Sequence, residues 1–165
     1  MSSEPTVFPA AGHDHRACVH SALRGAERFC MQQGLRLTPM RRRVLELIWR
    51  SHRPSGAYEL LEQLTAEGHK PSPPTVYRAL DFLLENALIH RISSRNAFVG
   101  CTQPGDEHMA QIFICDRCGI AVEQADDSLN RQIRHTAQDM RFKILTQTVE
   151  LTGLCPLCDT ENDAN

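Results

Sequence analysis

Long apolar runs are missing from this sequence: no uninterrupted hydrophobic stretch exceeds a few residues, and none follows a basic start. A membrane-spanning helix, which needs about 20 consecutive apolar residues, and a secretory leader are therefore not expected, and a cytoplasmic setting is. An even cysteine count is also missing. Seven cysteines in 165 residues with no leader argue against a disulfide framework and for metal ligation in a reducing compartment. Zinc-enzyme signatures are absent too: neither His-Glu-x-x-His nor His-x-Glu paired with Pro-Cys-x-x-Cys occurs, so a hydrolase or deaminase is disfavoured, as is any small-molecule substrate. Disorder is excluded by 41% hydrophobic and 23% charged residues, a composition suited to one medium domain or two small ones.

Overall charge imbalance is lacking at −2, yet the charges are unevenly spread. Through Arg95 there are 13 Lys and Arg against 9 Asp and Glu, or +4; from Asn96 onward there are 5 against 11, or −6. A basic first half fits a nucleic-acid-binding domain, although +4 is also compatible with an ordinary solvated surface.

Residues 1–15 carry Pro, Gly, Ser and Ala without periodicity and read as a flexible arm. Helical patterning follows to Gln33, and Gly34 supplies a stop. Thr38-Pro39 then gives an N-cap with proline at the first helical position, ahead of an apolar stripe of Met40, Val44, Leu45 and Ile48 that runs on toward Arg53-Pro54. A third helix is expected over Ala57 to Glu67, with Tyr58, Leu61 and Leu64 inward. Lys70 to Pro74 is too proline-rich for regular structure and delivers a fourth helix from Thr75 to about Asn86. On that helix Val76, Leu80, Leu83 and Ala87 share one face, while Tyr77, Arg78, Asp81 and Glu85 share the other. Leu88 to Ile92 and Ala97 to Cys101 read as strands joined at Ser93 to Asn96. Helices in this order followed by a hairpin make a winged helix-turn-helix.

A smaller unit follows. Strands are expected around Ile112 to Ile114 and Ala121 to Glu123, a helix over Asp127 to Met140 with Leu129, Ile133, Ala137 and Met140 on its apolar face, and a strand over Phe142 to Leu151. The whole is an α+β protein: arm 1–15, winged-helix DNA-binding domain 16–95, hinge 96–104, second domain 105–160 and tail 161–165. About 60 residues make a poor independent core, so a metal, a partner subunit or both should stabilise the second domain.

Cys115-Asp116-Arg117-Cys118 and Cys155-Pro156-Leu157-Cys158 are two Cys-x-x-Cys knuckles. Four thiolates satisfy tetrahedral zinc and leave no open position, so the ion they suit is structural. The competing reading, redox motifs or disulfides, lacks support: a thioredoxin-like motif needs a helix directly after it in a βαβ setting, and neither pair has one.

A helix with a polar first turn and an apolar rear is what a major-groove reader requires. Thr75, Tyr77 and Arg78 occupy that turn. Arg78 can meet guanine O6 and N7 bidentately, and Tyr77 a thymine methyl or a sugar. Arg36, Arg41, Arg42 and Arg43 before it, with Arg91 and Arg95 on the wing, are candidates for phosphates; surface arginines on a solvated helix end are the plainer alternative.

The stretch Pro73-Pro74-Thr75-Val76-Tyr77-Arg78-Ala79-Leu80-Asp81-Phe82-Leu83, with Arg36-Leu37-Thr38-Pro39 upstream and Cys115-Asp116-Arg117-Cys118-Gly119 downstream, resembles the ferric uptake regulator (Fur) superfamily, most of all its zinc-responsive branch. The likeness spans roughly residues 24 to 158. It implies a homodimeric, metal-responsive repressor of a palindromic double-stranded DNA operator, with an N-terminal winged helix and a C-terminal α/β dimerisation domain. In that branch it also implies control of zinc uptake genes and two zinc ions per subunit, one structural and one regulatory.

A sensor needs a site that fills and empties, and the resemblance assigns it to His90, Cys101, His108 and Glu123. Mixed nitrogen, sulfur and oxygen donors suit zinc and should exchange it more readily than four thiolates. His90 belongs to the wing, His108 and Glu123 to the second domain, so the ion would fasten the two domains together. Iron sensors of the superfamily carry a His-His-x-His run before the central strand, of which only His108 is kept here. Sensors of iron, manganese, nickel or peroxide remain the alternative within the superfamily. Cys30 reads as core, and the His13, His15, Cys18 and His20 cluster as an adventitious chelator on the arm.

Overall fold

The computed structural model describes residues 8–9, 14–105, 108–145 and 147–159. The remainder of the expected arm, with His13, and the expected tail 161–165 lie outside the described residues. The chain divides into two compact units, one over Pro9–Asp106 and one over Glu107–Asn165 that also takes in Phe8. No helix among the described residues is long and apolar enough to cross a membrane.

The first unit opens on α1 (His15–Gln32), capped by the Asp14 carboxylate accepting from Arg16 N at 2.9 Å. His15 and Cys18 therefore sit in a helix rather than on the arm. α2 (Pro39–Trp49) starts as the sequence indicates: Thr38 Oγ1 accepts from Arg41 N at 3.4 Å and Pro39 takes the first turn. It ends four residues before Arg53. A two-residue strand β1 (Ser55–Gly56), absent from the sequence reading, leads into α3 (Ala57–Ala66). Leu60 and Leu64 of α3 are buried, whereas Tyr58, expected inward, is 68% exposed. Leu61 packs against the core and Leu64 is buried as expected, so Tyr58 alone leaves the expected face, its place taken by Ala57 and Leu60.

α4 (Pro73–Glu85) begins at the prolines themselves, which need no N–H partner in a first turn. Val76, Ala79, Leu80, Phe82 and Leu83 are buried. Ala87, expected on the same face, lies beyond the helix at φ 49°, where the chain reverses and Leu88 N donates to Leu83 O at 2.9 Å. β2 (Ile89–Ile92), a 3-10 turn (Ser93–Arg95) and β3 (Ala97–Gly100) form the wing, with β3 central in the order β1-β3-β2. Leu23, Ala26 and Cys30 of α1 pack with Val44, Ile48, Leu64, Leu80 and Phe98 in one core, as expected for Cys30. Gly100 is required there: a Cβ on it would lie 2.1 Å from Trp49 Cε2.

In the second unit, β4 (Gln111–Cys115) pairs antiparallel with β5 (Ala121–Gln124) and parallel with β6 (Val149–Gly153). A parallel neighbour demands a long crossover, supplied by α5 (Asp127–Asp139). The β-branched stretch expected as strand from Phe142 is not one until Val149. Arg141 at φ 54° closes α5, and Phe142 and Leu145 are exposed instead of paired. On α5 Leu129 is exposed, as is Met140 just past its end, and the buried residues are Ala137 and Asn130. The short helix α6 (Pro156–Asp159) ends the described chain.

Candidate metal centres and nucleic-acid interface

The parallel register sets Cys115 against Gly153. Both knuckles consequently leave the sheet at the same end. Asp116 N donates to Gly153 O at 2.8 Å, and Gly119, at φ 77°, turns the first knuckle so that its N–H reaches Cys115 O at 2.9 Å. The ligand atoms of Cys115, Cys118, Cys155 and Cys158 all lie within 4.8 Å of one another, and Cys118 Sγ is 3.8 Å from Cys155 Sγ. A tetrahedral ion with Zn–S bonds of about 2.3 Å sets its sulfurs about 3.8 Å apart, so the four thiolates fit zinc.

The thiol chemistry of this cluster is uneven. Burial raises the Cys115 pKa, but N–H groups of Cys118 and Cys155 aimed at its sulfur outweigh that and bring it down to about 6. Burial and its sulfur neighbours push Cys158 up to about 12. Four sulfurs this close do not all ionise unless a cation compensates them. Phe8 packs against the same cluster. Nothing in the Pro- and Ala-containing segment around it signals that contact.

Each unit brings two further donors together within itself. In the first, the ligand atoms of His90 on β2 and of Cys101, just past β3, are within 4.8 Å of each other. Cys101 is buried, and its N–H extends the wing ladder to Leu88 O at 3.1 Å. In the second, His108 Nε2 lies 2.5 Å from Glu123 Oε1, and the Glu123 side chain is only 3% exposed. A carboxylate that far from water requires a hydrogen-bonding or metal partner.

On α4, Tyr77 and Arg78 are exposed and Thr75 is half-buried, with Thr75 Oγ1 2.9 Å from Ser72 Oγ. Arg78 Nε donates to Pro74 O at 3.2 Å, which draws the side chain toward the helix start. The preceding arginines are unequal. Arg36 is exposed. Arg41 stacks its guanidinium 3.6 Å over the Phe82 ring and donates to Arg36 O at 2.6 Å. Arg42 pairs with Glu27 at 2.9 Å, and Arg43 with Glu46 and Glu67. Arg91 donates to Asn96 Oδ1 at 3.1 Å, and Arg95 is exposed at the wing tip.

A winged helix followed by a small unit with a four-cysteine cluster suited to zinc is the arrangement of a metal-responsive DNA-binding regulator. The profile of the Ferric uptake regulator family matches residues 32–152, and the chain belongs to that family. It is 40% identical over 146 residues to the Zinc uptake regulation protein of Escherichia coli (strain K12), covering 87% of this chain and 84% of that protein. A solved structure described as a zinc uptake regulator complexed with zinc and DNA superposes with a TM-score of 0.82 at 36% identity, over 88% of this chain and 98% of the other. A crystal structure of holo XcZur gives 0.79 at 44% identity, over 85% and 98%.

Proposed function

We propose that this protein is a cytoplasmic, zinc-responsive transcriptional repressor that binds a palindromic operator as a homodimer and controls zinc uptake genes. The observation that carries the reading is the likeness, over nearly the whole chain, to a regulator solved with both zinc and DNA. The exposed Tyr77 and Arg78 near the start of α4 support it, since base edges are met by the N-terminal part of such a helix.

Two zinc ions per subunit are proposed. One occupies Cys115, Cys118, Cys155 and Cys158 and is structural, tying the C-terminal segment to β4. The other is regulatory and is held by His90, Cys101, His108 and Glu123, so that each unit supplies one ready pair of donors across a hinge within 96–104, past the wing strand. Bound zinc would supply a four-coordinate joint of exchangeable strength. The protein side does the rest: His108 and Glu123 stay close in their own unit, and His90 and Cys101 ride on the wing. Docking the two pairs fixes where the reading helix stands relative to the dimer.

In this reading a dimer presents two copies of α4 to successive major grooves, about 34 Å apart. Arg78, Tyr77 and Thr75 meet bases, and Arg36, Arg41 and Arg95 meet the backbone. Homodimerisation is supported by the apolar side chains left exposed on the second unit, Leu129, Met140, Phe142 and Leu145 among them. A differential zinc affinity of a few kcal/mol between the DNA-competent and open states suffices for switching.

The decisive experiment is a zinc titration of stripped dimer read by operator binding, run beside iron, manganese and nickel. Zinc alone should restore tight binding, and His90→Ala or Cys101→Ser should abolish the response. Equal grip by stripped and loaded protein would defeat the reading.

A further inference from the structure

Asn130 is the outlier of the second unit's core. It lies in the body of α5, is 2% exposed, and neighbours the buried Gln111. A buried amide is tolerated only with hydrogen-bond partners, and an apolar side chain would serve packing alone. Both ends of the amide are engaged. Asn130 Oδ1 accepts from Gln111 Nε2 at 3.4 Å and from Gln147 Nε2 at 3.3 Å, while Asn130 Nδ2 donates to Met109 O at 3.3 Å. Gln111 Nε2 also donates to Asp126 O at 3.1 Å. One side chain thus ties together α5, the start of β4 and the approach to β6.

Its third bond is the informative one. Met109 belongs to the segment 108–110, which leads into β4 outside the paired strand residues. A cavity of about 410 Å³, lined in part by His108, Met109, Arg134 and Gln147, opens beside it. The Met109 carbonyl is therefore held from within by Asn130, one residue from His108, whose ring must meet Glu123 at 2.5 Å.

The geometry points to Asn130 as a positioning residue for metal uptake: through Met109 it sets the backbone from which His108 projects, and through Gln147 it links that backbone to the β6 approach. This rests on the regulatory reading of His108 and Glu123. Outer partners that orient ligands are worth about tenfold to a hundredfold in metal affinity.

Two substitutions test it in the full-length dimer. Asn130→Asp keeps the oxygen that accepts from Gln111 and Gln147 but turns a second oxygen toward Met109 O; Asn130→Leu removes the hub while keeping the core apolar. Both should speed amide exchange across 108–110 without changing it in β5, and weaken uptake of the second zinc by about tenfold or more, with the first still bound. A merely structural role would lower the unfolding midpoint and leave second-site affinity at the parent's value. That result, or unchanged exchange across 108–110 in both variants, overturns the inference alone. A parent that takes up no second zinc, with His108→Ala indistinguishable from it, overturns the regulatory reading and this inference with it.

Discussion

The guanidinium of Arg41 rests 3.6 Å above the ring of Phe82, joining α2 to the reading helix by a cation–π contact. Arg41 accordingly braces the element that carries Arg78, besides the phosphate contact proposed for it. Arg41→Ala should cost about 1 kcal/mol of stability as well as operator affinity, whereas Arg41→Lys should keep the charge and lose much of the stack. Chemical unfolding and operator binding measured on the same variants separate the two effects.

Arg78 and the backbone arginines should fail differently. Arg78→Ala is expected to cost about 1–3 kcal/mol and to relax preference at one base position. Arg36→Ala or Arg95→Ala should weaken binding evenly across sequences and lower the salt slope by about 1. Binding to an operator series at several salt concentrations distinguishes these outcomes.

The four-cysteine centre should act as part of the fold. Cys118→Ser, or exhaustive chelation, is expected to melt the second unit and leave the helical first unit folded, because β4 and β6 lose the ion that closes their shared end. Zinc content and circular dichroism read this. A second unit that stays folded without zinc would contradict it.

Gly100→Ala tests the packing behind the wing. Its new Cβ would sit 2.1 Å from Trp49, so the wing or the indole must shift, at about 1–3 kcal/mol. The chain has one tryptophan, and its fluorescence should report the displacement directly.

Acid should release one identifiable brace. Hydrogen bonds from Arg43, aided by Arg50, hold the Glu67 carboxyl at about 2, below its ordinary 4.5. Because the folded value is the depressed one, the stabilisation is complete above about 4.5 and is lost as pH falls toward 2. Glu67→Gln should therefore be less stable than the parent at pH 7, with the gap closing in that acid window. A gap independent of pH would show that the charge is not what matters.

Much of the site was readable because its chemistry is written in short spacings. The two Cys-x-x-Cys knuckles, the Thr38-Pro39 cap and the Pro73-to-Leu83 motif are local signals, and local rules place them. The failures have equally local causes. At Tyr58 an aromatic at a helix start mimics a core residue, while Leu60 fits the stripe as well. The expected strand over Phe142 to Leu151 begins only at Val149, since β-branched residues favour extended backbone but propensity says nothing of whether a neighbouring edge is free.

Residue types and their order determined that this chain forms a helical reading head with a wing, that it carries four thiolates for a closed zinc site, and that His90, Cys101, His108 and Glu123 stand out as donors. The helix caps and each Cys-x-x-Cys pair are spacings within a turn or two of chain, whereas the four mixed donors stand out through the family resemblance. Tertiary structure decided which arginines are spent on Glu27, Glu46, Glu67 and Phe82, that the parallel pairing of β4 with β6 sends both knuckles to one end of the sheet, and that Asn130 is buried under Met109. Apart from the i,i+3 pair of Arg43 with Glu46, each of these depends on groups from different elements meeting in space, and no periodicity or spacing along the chain encodes such a meeting.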